Sequence, residues 1–135
     1  MEMRITFPGG NRVDAELNGR IIPTDQPVEA GGEGRAPTPY DYFLASIGTC
    51  AGIYVLSFCR QRGIATEGLS MIQRMEFETD ESGKRRLARV AMEISLPPGF
   101  PEQYRSAIVR AAELCSVKKA IMNPPEFTIT ARMPQ

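Results

Sequence analysis

The sequence predicts an α+β fold with antiparallel sheet packed on one long helix, and three observations carry that prediction. Residues 38 to 63 hold the longest run of apolar residues at helical period, alternating stretches on either side read as strands, and the order is strands, helix, strands, helix, strand. A chain of 135 residues with 42% hydrophobic content suits one domain over residues 1–135. A long helix in so small a subunit needs a partner to cover its stripe, so a homodimer is expected.

The first strand alternates Met3, Ile5 and Phe7 with polar neighbours, breaks at Pro8-Gly9-Gly10-Asn11, and resumes as Val13, Ala15 and Leu17. Asn18-Gly19 is a strong two-residue hairpin signal, and Arg20 to Pro23 gives a short third strand that Thr24 to Pro27 stops. Val28 to Arg35, with three glycines and no periodicity, reads as a plain connector to the helix; the other reading is that its glycines let backbone approach a ligand.

Thr38 is placed to cap the long helix, Pro39 suits its first position, and Asp41 three residues after Thr38 makes a variant capping box. Leu44, Ile47, Ala51, Val55 and Phe58 form the buried stripe, widened by Phe43 and Tyr54. Arg60 and Arg62 suit the negative end of the dipole, and Gly63 ends the helix. The span from Pro39 to Arg62 is roughly 36 Å at helical rise.

Leu69 to Thr79 and Val90 to Leu96 alternate as a long hairpin around Asp80 to Lys84, with Glu76, Glu78, Arg85, Arg86 and Arg89 on a solvated face. Pro101 opens a second helix with Tyr104, Ala107, Ile108, Ala111 and Leu114 on its buried face, leading to Cys115. A short helical turn from Ser116 to Met122 stops at Asn123-Pro124-Pro125, and Phe127, Ile129, Ala131 and Met133 alternate as a closing strand.

Sixteen basic and sixteen acidic residues cancel, which favours neither nucleic acid nor an anionic membrane surface as partner. The N-terminal residues lack a signal pattern and no apolar run is read as a membrane span, so a cytoplasmic protein with reduced thiols is expected. The chain has no histidine, which excludes imidazole nucleophile relays and histidine metal sites. Cys50, Cys59 and Cys115 include no CxxC pair, so neither metal nor other cofactor is expected, and thiol chemistry is the covalent chemistry left.

Cys50 shares an arc of the helix with Phe43, Ile47 and Tyr54, and by default is a small buried hydrophobe. The small residues Ala45, Ser46, Gly48, Thr49, Ala51 and Gly52 around it leave room for another element or a ligand. Cys115 sits at a helix junction before Lys118 and Lys119, whose charges would favour a thiolate if turned inward. Cys59 lies about 180° around the helix from Cys50 and is read as packing.

The segments APTPYDYFLASIGTC ending at Cys50, CSVKKAI beginning at Cys115, and PVEAGGEGRAP before the helix resemble the family of osmotically inducible protein C and organic hydroperoxide resistance protein, OsmC/Ohr. The resemblance implies an OsmC-like intertwined homodimer, long cysteine-bearing helices wrapped by sheets of both subunits. It also implies a thiol-dependent peroxidase: Cys50 attacks an organic hydroperoxide, Cys115 resolves the sulfenic acid, and an external dithiol restores both. An arginine from an early loop, sought at Arg12 with Arg20 and Arg35 as alternatives, and an acidic residue near the helix start would activate the thiolate. The family's glutamate position is Tyr40 here, and Asp41 is the nearest acid. Tyr40, Phe43, Ile47 and Tyr54 would line the substrate pocket. The rival readings are a redox sensor or small-electrophile binder without turnover, and a structural domain with inert cysteines.

Overall fold

Asn18 and Gly19 adopt left-handed backbone angles, φ 50° and φ 75°, as a two-residue hairpin turn requires. They join β2 (Arg12–Leu17) to β3 (Arg20–Ile22), and β1 (Arg4–Gly9) pairs with the other edge of β2. The three strands form an antiparallel sheet in which Ile5 faces Ala15, Thr6 faces Asp14 and Leu17 faces Arg20. The ladder is irregular between Thr6 and Gly9, where Pro8 has no amide hydrogen to donate. The computed structural model describes residues 1–135 as two units, Met1–Ser46, which contains this sheet, and Ile47–Gln135.

The segment after β3, expected as a plain connector, is organised around one buried carboxylate. Asp25 Oδ1 accepts the Gln26 N–H at 2.7 Å, and Oδ2 accepts those of Arg35 at 3.1 Å and Glu33 at 3.4 Å. Val28–Ala30 makes a 3₁₀ turn within the loop. A Cβ on Gly32 would lie 2.0 Å from the Gln26 carbonyl oxygen, so the glycine permits a close approach of backbone to backbone. The N–H groups of Arg35 and Gln26, in that order, hold the Asp25 carboxyl below the usual range against the opposing effect of burial, with the Glu33 N–H and the Arg12 guanidinium adding to them. Because the folded state lowers this pKa, its contribution is fully present above the unfolded value, about 3.9, and is lost as pH falls through the folded one. Asp25→Asn is therefore expected to be less stable than the natural protein at neutral pH, with the gap closing below about pH 4. Urea unfolding at both pH values checks this, and a gap that stays constant overturns it.

The long helix α1 spans Pro39–Gln61. The Thr38 N–H donates to Asp41 Oδ2 at 2.9 Å and the Asp41 N–H to Thr38 Oγ at 3.1 Å, the reciprocal pairing of a capping box. At the other end the Gly63 N–H reaches the Arg60 carbonyl and the Ile64 N–H the Cys59 carbonyl, with Gly63 at φ 65°, a Schellman ending. Contrary to the expectation from sequence, α1 is long and apolar enough to cross a membrane by length and composition. Part of that apolarity serves the protein's own core, since Ile47, Ala51, Val55, Phe58 and Cys59 are buried.

In the second unit β4 (Ser70–Thr79) and β5 (Arg85–Ser95) form a two-stranded antiparallel sheet, with Met71 facing Ile94 and Met75 facing Val90. Asp80 Oδ1 accepts N–H groups from Ser82 and Lys84, both at 2.9 Å, closing the turn. The cross-strand pairs Arg74 with Glu93, Glu78 with Arg86 and Glu76 with Arg89 are exposed, so each contributes little. Packing contributes more. Val55, Phe58, Cys59 and Ile108 form a buried cluster on which Leu69, Met71, Ile94, Leu96 and Tyr104 pack. The Arg62 guanidinium lies 3.6 Å from the centre of the Phe58 ring and donates to the Phe58 carbonyl, closing one side of the cluster.

Two sequence expectations fail here. Pro101 precedes a 3₁₀ turn, Glu102–Tyr104, rather than opening a helix directly; α2 covers Arg105–Ala112, which leaves Leu114 beyond its end and 49% exposed. After α3 (Ser116–Met122) no closing strand forms, and Phe127 and Ile129 are 81% and 93% exposed. Alternation makes a segment fit for a sheet, but a strand exists only where a neighbouring edge supplies its hydrogen bonds.

Candidate functional site

Gly48 and Gly52 lie two positions before and after Cys50, on the face of α1 opposite its side chain, and it is that face that meets β4. A Cβ on Gly48 would lie 2.6 Å from Gln73 Oε1, and one on Gly52 would lie 3.7 Å from Met71 Sδ. Cys50 is only partly buried, whereas Cys115 is 1% exposed. All three cysteines are free thiols.

Cys115 is the N-cap of α3, with non-helical backbone angles and a sulfur that accepts the Lys118 N–H at 3.3 Å. Its thiol also lies 3.8 Å from the Ile47 carbonyl, to which it donates. This capping puts the next residue beside the other cysteine: Ser116 Oγ is 3.6 Å from Cys50 Sγ, although the two are 66 positions apart in the chain.

The Cys50 pKa is lowered to about 7, first by the Val117 N–H, then by the Ser116 hydroxyl and the Cys115 thiol, with burial opposing and the Ser116 N–H adding a smaller share. The lysines expected from sequence to supply charge are exposed, and Lys118 enters the site through its backbone N–H. A thiol at about 7 is about half ionised at neutral pH, against roughly 1% at the ordinary value of 9.0. Lower basicity costs some intrinsic nucleophilicity, roughly sixfold to tenfold over two units, so the gain in thiolate wins. Cys59 is the opposite case, since burial pushes its thiol up despite the nearby Arg62 charge.

The residues named from sequence divide between the two units. Cys50, Ile47, Tyr54 and Cys115 belong to the second, where the two thiols and the Ile47 carbonyl come together; the Ile47 side chain is buried and Tyr54 half-buried. Arg12, Tyr40, Asp41 and Phe43 belong to the first. There the Arg12 charge bears on Asp25, Asp41 engages Thr38, and the rings of Tyr40 and Phe43 lie 5.4 Å apart. The Arg35 side chain pairs with Glu33. Ser116 was missed by sequence reasoning; its one signal was a hydroxyl residue at the first position of the helix that Cys115 caps. No group of three or more Cys, Asp or Glu side chains is arranged to hold a metal ion.

The family model described as OsmC-like protein matches residues 32–130. No curated protein matches the chain. Among solved structures, one from Psychrobacter arcticus, described as an osmotic stress induced and detoxification response protein, has 23% identity and a TM-score of 0.70 over 87% of this chain and 85% of that one. An organic hydroperoxide resistance protein OsmC from Legionella pneumophila has 23% identity and a TM-score of 0.60, covering 90% of this chain and 89% of its own. A structure from Vibrio cholerae, described as an organic hydroperoxide resistance protein with captopril in one of its active sites, has 21% identity and a TM-score of 0.61 over 92% and 86%. The mixed fold, a long helix with antiparallel sheets, is thus shared with these proteins.

Proposed function

The chain belongs to the OsmC-like protein family, and from that premise we propose that it is a thiol-dependent peroxidase that reduces organic hydroperoxides. The observation that supports this reading is the asymmetry of its two neighbouring thiols: Cys50 is partly accessible and ionises near neutral pH, while Cys115 is buried beside it.

Cys50 loses its proton to solvent, and the thiolate attacks the terminal peroxide oxygen. The S–O bond forms as the O–O bond breaks, giving a sulfenic acid and an alkoxide that takes a proton from water and leaves as the alcohol. The Cys115 thiol then condenses with the sulfenic acid, forming the disulfide and releasing water, before over-oxidation. An external dithiol reduces that disulfide by exchange and is itself oxidised to a disulfide. No cofactor enters, and the cytoplasm, where thiols are kept reduced, suits the cycle.

In this reading the chain acts as one OsmC-like domain over residues 1–135. Arg12, or Arg20 or Arg35 in its place, supports the thiolate, Asp41 contributes polarity, and Tyr40, Phe43, Ile47 and Tyr54 line the substrate path. The test is steady-state turnover of cumene hydroperoxide with dithiothreitol, compared with hydrogen peroxide. Fast turnover selective for the organic substrate supports the enzyme. Oxidation that stops after one equivalent supports the sensor, the reading that Tyr40 at the family's glutamate position favours.

We also propose a homodimer. In the first unit Ile5, Phe7 and Ile21 are exposed, and in the second Ile53, Ile72 and Met122 are, a large apolar surface for one small subunit. Sedimentation at micromolar protein is expected to give twice the chain mass, and a monomer there overturns the proposal.

A further inference from the structure

We propose that Ser116 is a catalytic residue, its hydroxyl donating to the Cys50 thiolate and keeping it ionised. This deepens the peroxidase reading and rests on it for the reaction served, but not for the contact itself. Four observations carry it. Ser116 Oγ lies 3.6 Å from Cys50 Sγ, within reach of a hydrogen bond to sulfur. Cys115 anchors the start of α3 through its bonds to the Lys118 N–H and the Ile47 carbonyl, so the position of Ser116 next to Cys50 is held from both sides. Cys50 lies near the middle of α1, away from the helix ends where dipole charge would help it, so stabilisation must come from another element. The acid nearest the start of α1, Asp41, already accepts the Thr38 N–H in its capping box.

The groups facing Cys50 are few. From the α2–α3 junction come the titratable Cys115 thiol, the Ser116 hydroxyl and the Val117 N–H. β4 packs on the opposite face of α1, against Gly48, Gly52 and the Cys59 cluster. A hydroxyl is the right donor in that company, because it solvates a thiolate without itself ionising at neutral pH. It stays protonated throughout: the proton taken up by the departing alkoxide comes from water, and the hydrogen bond weakens as the sulfur's charge passes to oxygen.

Ser116 is exposed at the first position of a short helix, so Ser116→Ala removes the hydroxyl and leaves the fold and the backbone N–H groups in place. The experiment follows iodoacetamide alkylation of the Cys50 peptide by mass spectrometry across pH, with no peroxide present. The natural protein is expected to titrate near 7, and Ser116→Ala about one unit higher, which cuts the thiolate fraction at neutral pH by about fivefold. Ser116→Thr, which restores a hydroxyl, is expected to return the midpoint. An unchanged midpoint in Ser116→Ala overturns the inference even if the natural protein turns over hydroperoxide. A shifted midpoint in a protein that consumes no hydroperoxide supports the contact while removing the peroxidase reading.

Discussion

Cys50→Ser is expected to abolish hydroperoxide consumption, a loss of at least about a thousandfold, because no other nucleophile shares its accessibility and lowered pKa. Cys115→Ser separates the two halves of the cycle. It should release one equivalent of alcohol per subunit, then stop with Cys50 as a sulfenic acid that dimedone traps or excess peroxide over-oxidises. In the natural protein, one equivalent of hydroperoxide should leave Cys50 and Cys115 joined while Cys59 stays a thiol, which peptide mapping reads directly. Consumption that survives Cys50→Ser, or mapping that finds Cys50 unmodified, would make the inert-domain reading the one to pursue.

Ile108→Ala carries the largest expected cost in stability, about 2 to 5 kcal/mol. Ile108 is 1% exposed and shares a cluster with Val55, Phe58 and Cys59, so the truncation removes buried area and leaves a cavity among side chains from α1 and α2. The adjacent Val109 is 49% exposed, and Val109→Ala in the same helix should change stability by no more than about 0.5 kcal/mol. Urea unfolding of the two variants measures the contrast. Equal losses would mean that the buried face of α2 is not what holds it to the core.

Features that depend on neighbours in sequence were legible. The Thr38 and Asp41 cap, the Gly63 ending and the Asn18-Gly19 turn are each decided within a few residues, and each is found where it was expected. The failures involve distant partners. Asp25 gathers N–H groups from residues up to ten positions away, a role that a loop's composition does not reveal. Phe127 to Met133 has the alternation of a strand and no ladder, because alternation names a face and not a partner. Both cysteines of the candidate site stood out in the sequence, but the groups that lower the Cys50 pKa did not. Sequence drew attention to the charges of Lys118 and Lys119, whereas folding presents Cys50 with the Val117 N–H and the Ser116 hydroxyl.

Cys59 gives the protein a built-in clock for its own breathing. Its sulfur is fully enclosed and its thiol is pushed up, so it reacts only in molecules whose core has come open. When closing outruns modification, its labelling rate is the opening equilibrium constant multiplied by the rate of a free thiol, and so reads a free energy. The same alkylation that follows Cys50 therefore also reports the integrity of the core, in the natural sequence and with no engineered probe.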